Sequence, residues 1–367
     1  MKRILYVIQL PPPVHGAAVI NEIVANSALI SGHFETRHVN ISTSGTIEGI
    51  GKFTPSKIFS AGRHLALIIK NMIFFRPDLV YLTLSPAGFA FYRDTVYIFA
   101  IRLFRPRLVL HLHGKGIGEA AKKSSLYRWL CKKIFKGSYV IFLSESLRSD
   151  ASSFTPRASF VVNNGLPVSA SLPKPPSLAK EPVRILYLSN YVRSKGVLDL
   201  VDAIELVAGS HRNFHLTLAG KPYDISMDYL NEYSREKKLE EKVTIYGPKY
   251  KEEKIALLEE ADIFIFPSYY GNEAFPLSIL EAMQYTLPVV STYEGGIPDM
   301  IEDGVNGLLF RQRDIRGLAN KIIFLLDHPE ERSRLGLAAR KKFFDKYTIS
   351  VFEQNILSVL RQIAEAS

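Results

Sequence analysis

The sequence predicts an α/β protein of two Rossmann-like domains, each a parallel sheet with helices on both faces, the two sheets facing a central cleft. Three observations carry this reading. The chain has 367 residues, which is long for one core and divides naturally into two domains of roughly 170–180 residues. Short apolar runs alternate with longer helical patterns through both halves, the signature of parallel sheets covered by helices. Between the halves lies "GLPVSASLPKPPSLAKEP" (165–182), rich in Pro, Ser and Ala and extended by composition. The expected boundaries are a first domain over 1–167, a linker over 168–182, and a second domain over 183–348. A helix over 349–367 follows, whose packing partner the pattern leaves open. Ligands of such folds bind at the carboxyl ends of the strands.

The elements follow in order. "MKRILYVIQLPPP" opens with Lys2 and Arg3 before an apolar run. The run is too short for a secretory signal and meets three prolines instead of a small-residue cleavage site, so it reads as the first buried strand. The strands expected after it are "RHVNI", "DLVYLTL", "RLVLHLH", "SYVIFLS" and "SFVVNN". The second half repeats the theme with "VRILYLS", "FHLTLAG", "KVTIYG", "DIFIFPS", "LPVVST" and "NGLLF". "VVNNGLP" (161–167) reads as a turn in which Gly165 supplies a positive φ.

Composition narrows the function classes. Hydrophobic content of 47% with 22% charged residues is globular. The single cysteine, Cys131, excludes an internal disulfide framework and a Cys-rich zinc site, and fits a reducing, cytoplasmic compartment. The longest apolar stretch, "LALIIKNMIFF", is broken by Lys70, so no membrane span is expected. Net charge is +10, divided as +15 over residues 1–180 and −5 over 181–367. No helix-turn-helix, RRM or zinc-finger pattern accompanies the basic half, so no nucleic-acid partner is expected. No G-x-G-x-x-G follows a strand, which argues against a dinucleotide dehydrogenase.

Chemistry concentrates in "FPSYYGNEAFPLSILEAM" (266–283). A buried strand leads through a turn into an amphipathic helix with Pro276 expected at its first position, Glu273 just before it and Glu281 within it. Eight residues of helical rise separate the glutamates by roughly 12 Å. The carboxylate pairs of glycoside hydrolases sit ~5–9.5 Å apart, so these two are poor partners for one bond. They suit the two ends of an elongated ligand. Between them, free N–H groups at Ala274, Phe275 and Leu277 suit a phosphate. The alternative is a solvated helix residue and a loop acid.

Together with "LPVVSTYEGGIPDMIEDGVNGLLF" (287–310), this stretch resembles the family-4 retaining glycosyltransferases of the GT-B fold, which carry a Glu-x7-Glu motif at this junction. The resemblance covers nearly the whole chain and is strongest over 261–310. It implies transfer of a sugar from a nucleoside-diphosphate sugar, with retention and without a divalent metal or other cofactor. Glu273 would then contact the donor sugar near the reaction centre and Glu281 the ribose hydroxyls. No Asp-x-Asp occurs, and the nine histidines show no HExxH-type clustering. The charge of the departing diphosphate therefore falls to cations and helix dipoles. In "LSNYVRSKGVLDL" (188–200), Lys195 matches the family's lysine. The family's arginine, five residues earlier, is Asn190 here, and Arg193 is the substitute within the loop.

Three first-half loops face the same cleft in this reading. "PPPVHGAA" (11–18) resembles the family's glycine-containing first loop, with Gly16 near the donor phosphate and His15 on the acceptor side. "LVLHLHG" (108–114) places His111 and His113 on one strand face. The resemblance assigns His113 to the donor sugar, while His111 reads as structural. "TLSPAG" (83–88) brings Ser85 to the acceptor side. In the second half, "IYGPKYKEEK" (245–254) is the strand-end loop where family members hold the base, and "GGIPDMI" (295–301) is expected to start a helix with Pro298 first.

"EAAKKSSLYRWLCKKIFKG" (119–137) reads as one amphipathic helix, with Leu126, Leu130 and Ile134 in its apolar stripe and Trp129 and Phe135 beside them. Its lysines and arginines suit an anionic interface; packing on the sheet accounts for the leucines. "RHLALIIKNMIFFRP" and "FAFYRDTVYIFAIRLFRPR" add aromatic and basic residues to the same domain. The expected partners are a nucleotide-sugar donor, a glycan or lipid-linked saccharide acceptor, and the cytoplasmic face of an inner membrane. The expected product is a bacterial-type surface glycan such as O-antigen, capsule, exopolysaccharide or lipopolysaccharide. A nucleotide-sugar epimerase of similar architecture and a non-catalytic nucleotide-sugar-binding module are the alternatives.

Overall fold

A computed structural model describes residues 1–42, 55–169, 182–211 and 213–366. The linker expected over 168–182 lies outside the described residues except for Val168, Ser169 and Pro182. The chain forms two compact units, Met1–Gly165 with Ile349–Ser367, and Leu166–Thr348.

The first unit runs β1 (Lys2–Ile8), α1 (Gly16–Asn26), α2 (Ala28–Ser31), β2 (Phe34–Asn40), α3 (Pro55–Phe74), β3 (Leu79–Leu84), α4 (Gly88–Arg102), β4 (Arg107–Leu112), α5 (Ile117–Lys123), α6 (Ser125–Phe135), β5 (Tyr139–Phe142) and β6 (Ala158–Val161). Its six strands pair in the order β2-β1-β3-β4-β5-β6, all parallel. Every residue of β3 is buried, as a strand covered on both faces requires. From β2 through β5 the chain steps in one direction along the sheet. Right-handed crossovers therefore put α3, α4 and α6 on one face, and the reversed step from β1 to β2 puts α1 on the other.

The segment expected as one helix over 119–137 is two. Ser124 ends α5 and caps α6, its Oγ accepting the Tyr127 N–H at 3.2 Å. The restart shifts the stripe: Tyr127, Leu130, Cys131, Ile134 and Phe135 are buried, whereas Leu126 is 58% and Trp129 51% exposed. Leu126 thus faces solvent instead of the sheet. The sequence pattern continues smoothly through Ser124, which hid the break.

The second unit runs β7 (Val183–Leu188), α7 (Val197–Ala208), β8 (Phe214–Ala219), α8 (Met227–Glu236), β9 (Val243–Tyr246), α9 (Lys251–Glu260), β10 (Ile263–Phe266), α10 (Leu277–Gln284), β11 (Val289–Thr292), α11 (Ile297–Met300), β12 (Gly307–Phe310), α12 (Ile315–Asp327) and α13 (Pro329–Lys346). Its parallel sheet has the order β12-β11-β10-β7-β8-β9, the doubly wound Rossmann arrangement with its switch point between β7 and β10. Apolar residues of β7, α7, β8 and α12 form the core on one side of the sheet.

Gly165 does not take the left-handed conformation expected of it; it is not among the positive-φ glycines. Extended pairing replaces the turn. The Leu166 N–H donates to Tyr347 O at 2.9 Å beside a bridge between Leu166 and Thr348, so the second unit begins and ends at one place.

The last helix, α14 (Ile349–Glu365), belongs to the first unit and packs on α2. Lys2 Nζ donates to Ala364 O, and Arg107 donates to Ala366 O. Two cations from the amino ends of β1 and β4 thereby meet the carbonyl end of α14, where the helix dipole is negative.

Candidate functional site

The second unit builds its site at the switch point. The loops after β7 and β10 come from neighbouring strands and leave the sheet together. After β7, a single 3₁₀ turn, Arg193–Lys195, leads into α7. After β10, residues 267–276 cross to α10. The Tyr269 N–H donates to Ser194 O at 2.8 Å, stitching the two loops.

Across this seam Lys195 Nζ forms an ion pair with Glu273 Oε2. Glu273 is buried, and the Ser268 Oγ donates to the same oxygen at 3.1 Å. The ammonium also lies 5.3 Å from the Phe266 ring centre and 5.1 Å from that of Tyr270, an arrangement that stabilises a desolvated cation. Lys195 and Glu273 are thus held together as a mutually neutralised pair.

The loop after β11 closes the site from its other side. Gly295 has φ +55, and a Cβ there would stand 2.1 Å from Glu273 O. The Gly296 N–H donates to Ala274 O at 2.7 Å. Only a glycine at 295 allows this approach. Pro298 occupies the second helical position of α11, behind an N-cap at Gly296.

Helix α10 begins at Leu277, and Pro276 is its N-cap rather than its first residue. Ala274 and Phe275 therefore precede the helix, and helical rise applies only from Leu277 onward. The backbone N–H groups of Ala274, Phe275 and Leu277 donate to no protein acceptor among the described residues, and Ala274 and Phe275 are buried. Leu277 is half-buried, and the three donors gather at a helix start directly after Glu273, the partner of Lys195.

Glu281 lies one turn into α10, half-buried, and pairs with Lys254 of α9 at 2.6 Å. Sequence reasoning took Lys254 as the end of the strand-end loop 245–254, but Lys251–Glu260 is helix α9, and no spacing relates Lys254 to a carboxylate on another element. Asn190 and Arg193 are exposed. The Asn190 carbonyl accepts from the Val192 N–H at 2.8 Å, and the Arg193 N–H donates to Asp224 Oδ1 at 2.9 Å.

The first unit gathers its candidates at the ends of β1, β3 and β4, which are adjacent strands. His15 is the N-cap of α1, its Nδ1 accepting the Ala18 N–H at 3.3 Å, and Gly16 is the helix's first residue. Burial lowers the His15 pKa. The Ser85 N–H is taken by Asp94 Oδ2 at 3.0 Å; Asp94 in turn forms a buried ion pair with Arg93 at 2.7 Å.

His111 shares a hydrogen bond with the Tyr81 hydroxyl, as a structural strand histidine does. His113 does not. Its ring centre lies 4.0 Å from that of His111, yet both of its nitrogens are out of solvent and without a partner. Burial, helped by the field of His15, pushes its pKa down to about 3, so it is a neutral imidazole at pH 7. The loop that follows is anchored by Asp150, whose carboxylate accepts the N–H groups of Gly116, Ile117 and Gly118 at 2.8, 3.0 and 3.0 Å. Among the described residues no group of three or more His, Cys, Asp or Glu converges as a metal site, and no helix is long and apolar enough to cross a membrane.

Two parallel six-stranded sheets, one with a charged, backbone-rich site at its switch point, define the GT-B class of glycosyltransferase folds. Sucrose-phosphate synthase from Thermosynechococcus elongatus superposes with a TM-score of 0.78 at 17% identity over 100% of both chains. Anabaena HepE in complex with UDP superposes with a TM-score of 0.76 at 20% identity, over 98% of this chain and 100% of that one. Residues 169–342, within the second unit, match the family described as "Glycosyl transferases group 1". The amylovoran biosynthesis glycosyltransferase AmsK of Erwinia amylovora is 30% identical over 188 residues, 50% of this chain and 46% of AmsK. The glycogen synthase of Mycobacterium tuberculosis is 30% identical over 52% of this chain and 46% of its own length. The matched stretch thus spans about half the length of these curated relatives.

Proposed function

We propose that this chain transfers a sugar from a nucleoside-diphosphate sugar to a glycan or lipid-linked saccharide, with retention at the anomeric carbon and without a divalent metal. The observation that carries this reading is the Lys195–Glu273 pair set against unpartnered N–H groups at the switch point. Such a site offers positive charge and donors for a diphosphate and a carboxylate for the reacting sugar. Relatives named for amylovoran and colanic acid biosynthesis support a surface polysaccharide product. The fold shared with a protein crystallised with UDP-glucose supports the donor class.

In this reading the bond between the anomeric carbon and the donor phosphate oxygen breaks and the acceptor oxygen takes its place. The acceptor's proton passes to the departing phosphate. Lys195 and the N–H groups of Ala274, Phe275 and Leu277 hold the diphosphate charge, with Arg193 at its edge. Glu273 faces the developing positive charge on the sugar, Glu281 holds the ribose hydroxyls, and neutral His113 hydrogen-bonds a sugar hydroxyl. The enzyme works on the cytoplasmic face of an inner membrane, attached peripherally through its first unit.

A panel of UDP-, GDP- and ADP-sugars tests this, first by thermal stabilisation and then by radiolabel transfer into lipid extracts. One donor should stabilise the protein and yield labelled product with free nucleoside diphosphate. An epimerised donor without acceptor consumption, or no stabilisation by any donor, would overturn it.

A further inference from the structure

Helices α3, α4 and α6 lie side by side on one face of the first sheet, α3 against α4 and α4 against α6. Arg102 at the end of α4 ties the last two together, donating to Lys133 O, Ile134 O and Lys136 O at 2.6–2.8 Å. Their outward sides are unusually apolar. On α3, Phe59 is 81% exposed, with Leu67 and Phe74 further along the same side. On α4, Tyr92, Val96 and Phe99 form an exposed stripe at helical spacing, continued by Leu103 at 81% exposure. Leu126 and Trp129 extend the patch onto α6. Large exposed apolar side chains repeated on three neighbouring helices mark an interaction site.

The charges around it have one sign. Neither α3 nor α6 contains an Asp or Glu, and the one acid of α4, Asp94, is buried against Arg93. Exposed Arg63 and Lys70 stand among the apolar side chains of α3, Arg105 follows α4, and Arg128, Lys132 and Lys133 are exposed on α6, Lys133 lying 5.7 Å from the Trp129 ring centre. Exposed apolar side chains interspersed with charges that on these three helices are all cationic match an acidic lipid surface, where acyl chains receive the former and headgroups the latter. A second copy of the chain does not match it. A two-fold contact would set these cations against their own copies.

We propose that this three-helix face is the membrane-docking surface, seating on an anionic bilayer with Phe59, Leu103 and Trp129 entering the acyl boundary. The proposal names the surface for the peripheral attachment above, and its test uses neither donor nor acceptor. Trp129 is the chain's only tryptophan, so its fluorescence reports on this face alone. Full-length protein is mixed with vesicles of phosphatidylglycerol and phosphatidylethanolamine, or of phosphatidylcholine alone. The expected result is co-sedimentation with the acidic vesicles only, with Trp129 emission shifted to the blue and quenched by brominated acyl chains. Binding should weaken about tenfold or more when salt is raised beyond a short Debye length. Leu103→Glu puts a carboxylate at an exposed position, spares the fold, and should reduce binding about tenfold with unchanged Tm. Binding without a Trp129 shift would place attachment elsewhere and overturn the assignment. A concentration-dependent blue shift without vesicles would reveal a second copy on this face, with the same consequence. Sugar transfer could fail while the shift appears, or the reverse, so the two readings fall separately.

Discussion

The two units share one architecture and divide its uses. Each is a six-stranded parallel sheet that gathers polar residues where adjacent strands end, at the point where strand order reverses. In the second unit those residues are charged and already paired, Lys195 with Glu273 and Lys254 with Glu281. In the first they are uncharged, with both His113 ring nitrogens out of solvent and without a partner and His111 bonded to Tyr81. The difference follows from chemistry. In the proposed function, a site for a diphosphate needs fixed cations that a carboxylate keeps in place until the ligand arrives, and a site for a sugar hydroxyl needs uncharged donors and acceptors out of water.

The sharpest way to break this contrast is Glu273→Ala. It should lower kcat about 10²–10³-fold while leaving donor KM within a fewfold, because in the proposed function the carboxylate acts on charge that develops only in the transition state. A raised KM with unchanged kcat would sink that role. Next come Glu281→Ala and Lys254→Met, each expected to raise donor KM about tenfold or more with kcat unchanged, as loss of a charged hydrogen bond does. If Lys254→Met left KM untouched, the α9–α10 ion pair would be only structural.

Gly295→Ala tests the closeness of the second-unit loops. A methyl 2.1 Å from Glu273 O, on a backbone at φ +55, should cost about 1–3 kcal/mol of stability and weaken donor binding, read by chemical denaturation and calorimetry. Unchanged stability would show that the loop relaxes freely.

The gentlest test is pH. His113, with its pKa lowered to about 3, is buried neutral, whereas the unfolded chain protonates it near 6.5. More protons bind to the unfolded state between those values, so stability is full above about pH 6.5 and falls as pH drops. The expected slope is about 1.4 kcal/mol per pH unit for this one group. His113→Gln should flatten the acid limb of a denaturation series by that amount, and an unaltered limb would contradict the burial argument.

Much of this was legible in the sequence, for identifiable reasons. A buried strand, a turn and an apolar helix in close succession place Glu273 and Glu281 without tertiary information, and alternation along "LVLHLH" puts His111 and His113 on one face. What escaped depends on contacts distant in sequence. Lys254 meets Glu281 across two helices. The Ser124 break was masked because its lysines and leucines continue an amphipathic pattern, though a serine before "SLYRW" is a capping signal. The partner of α14 was undecided because an amphipathic helix says that it needs a surface, not which one.

That last helix carries a consequence for synthesis. The first unit is discontinuous in the chain: its sheet is complete at β6, but its closing helix emerges only after the whole second unit. At ribosomal speeds of ~5–20 residues per second, the nascent first unit waits on the order of ten seconds or more for α14. During that interval Lys2 and Arg107 lack their carbonyl partners and the α2 surface is uncovered. The second unit, continuous from 166 to 348, can fold first although it is made later, so order of folding and order of translation need not coincide.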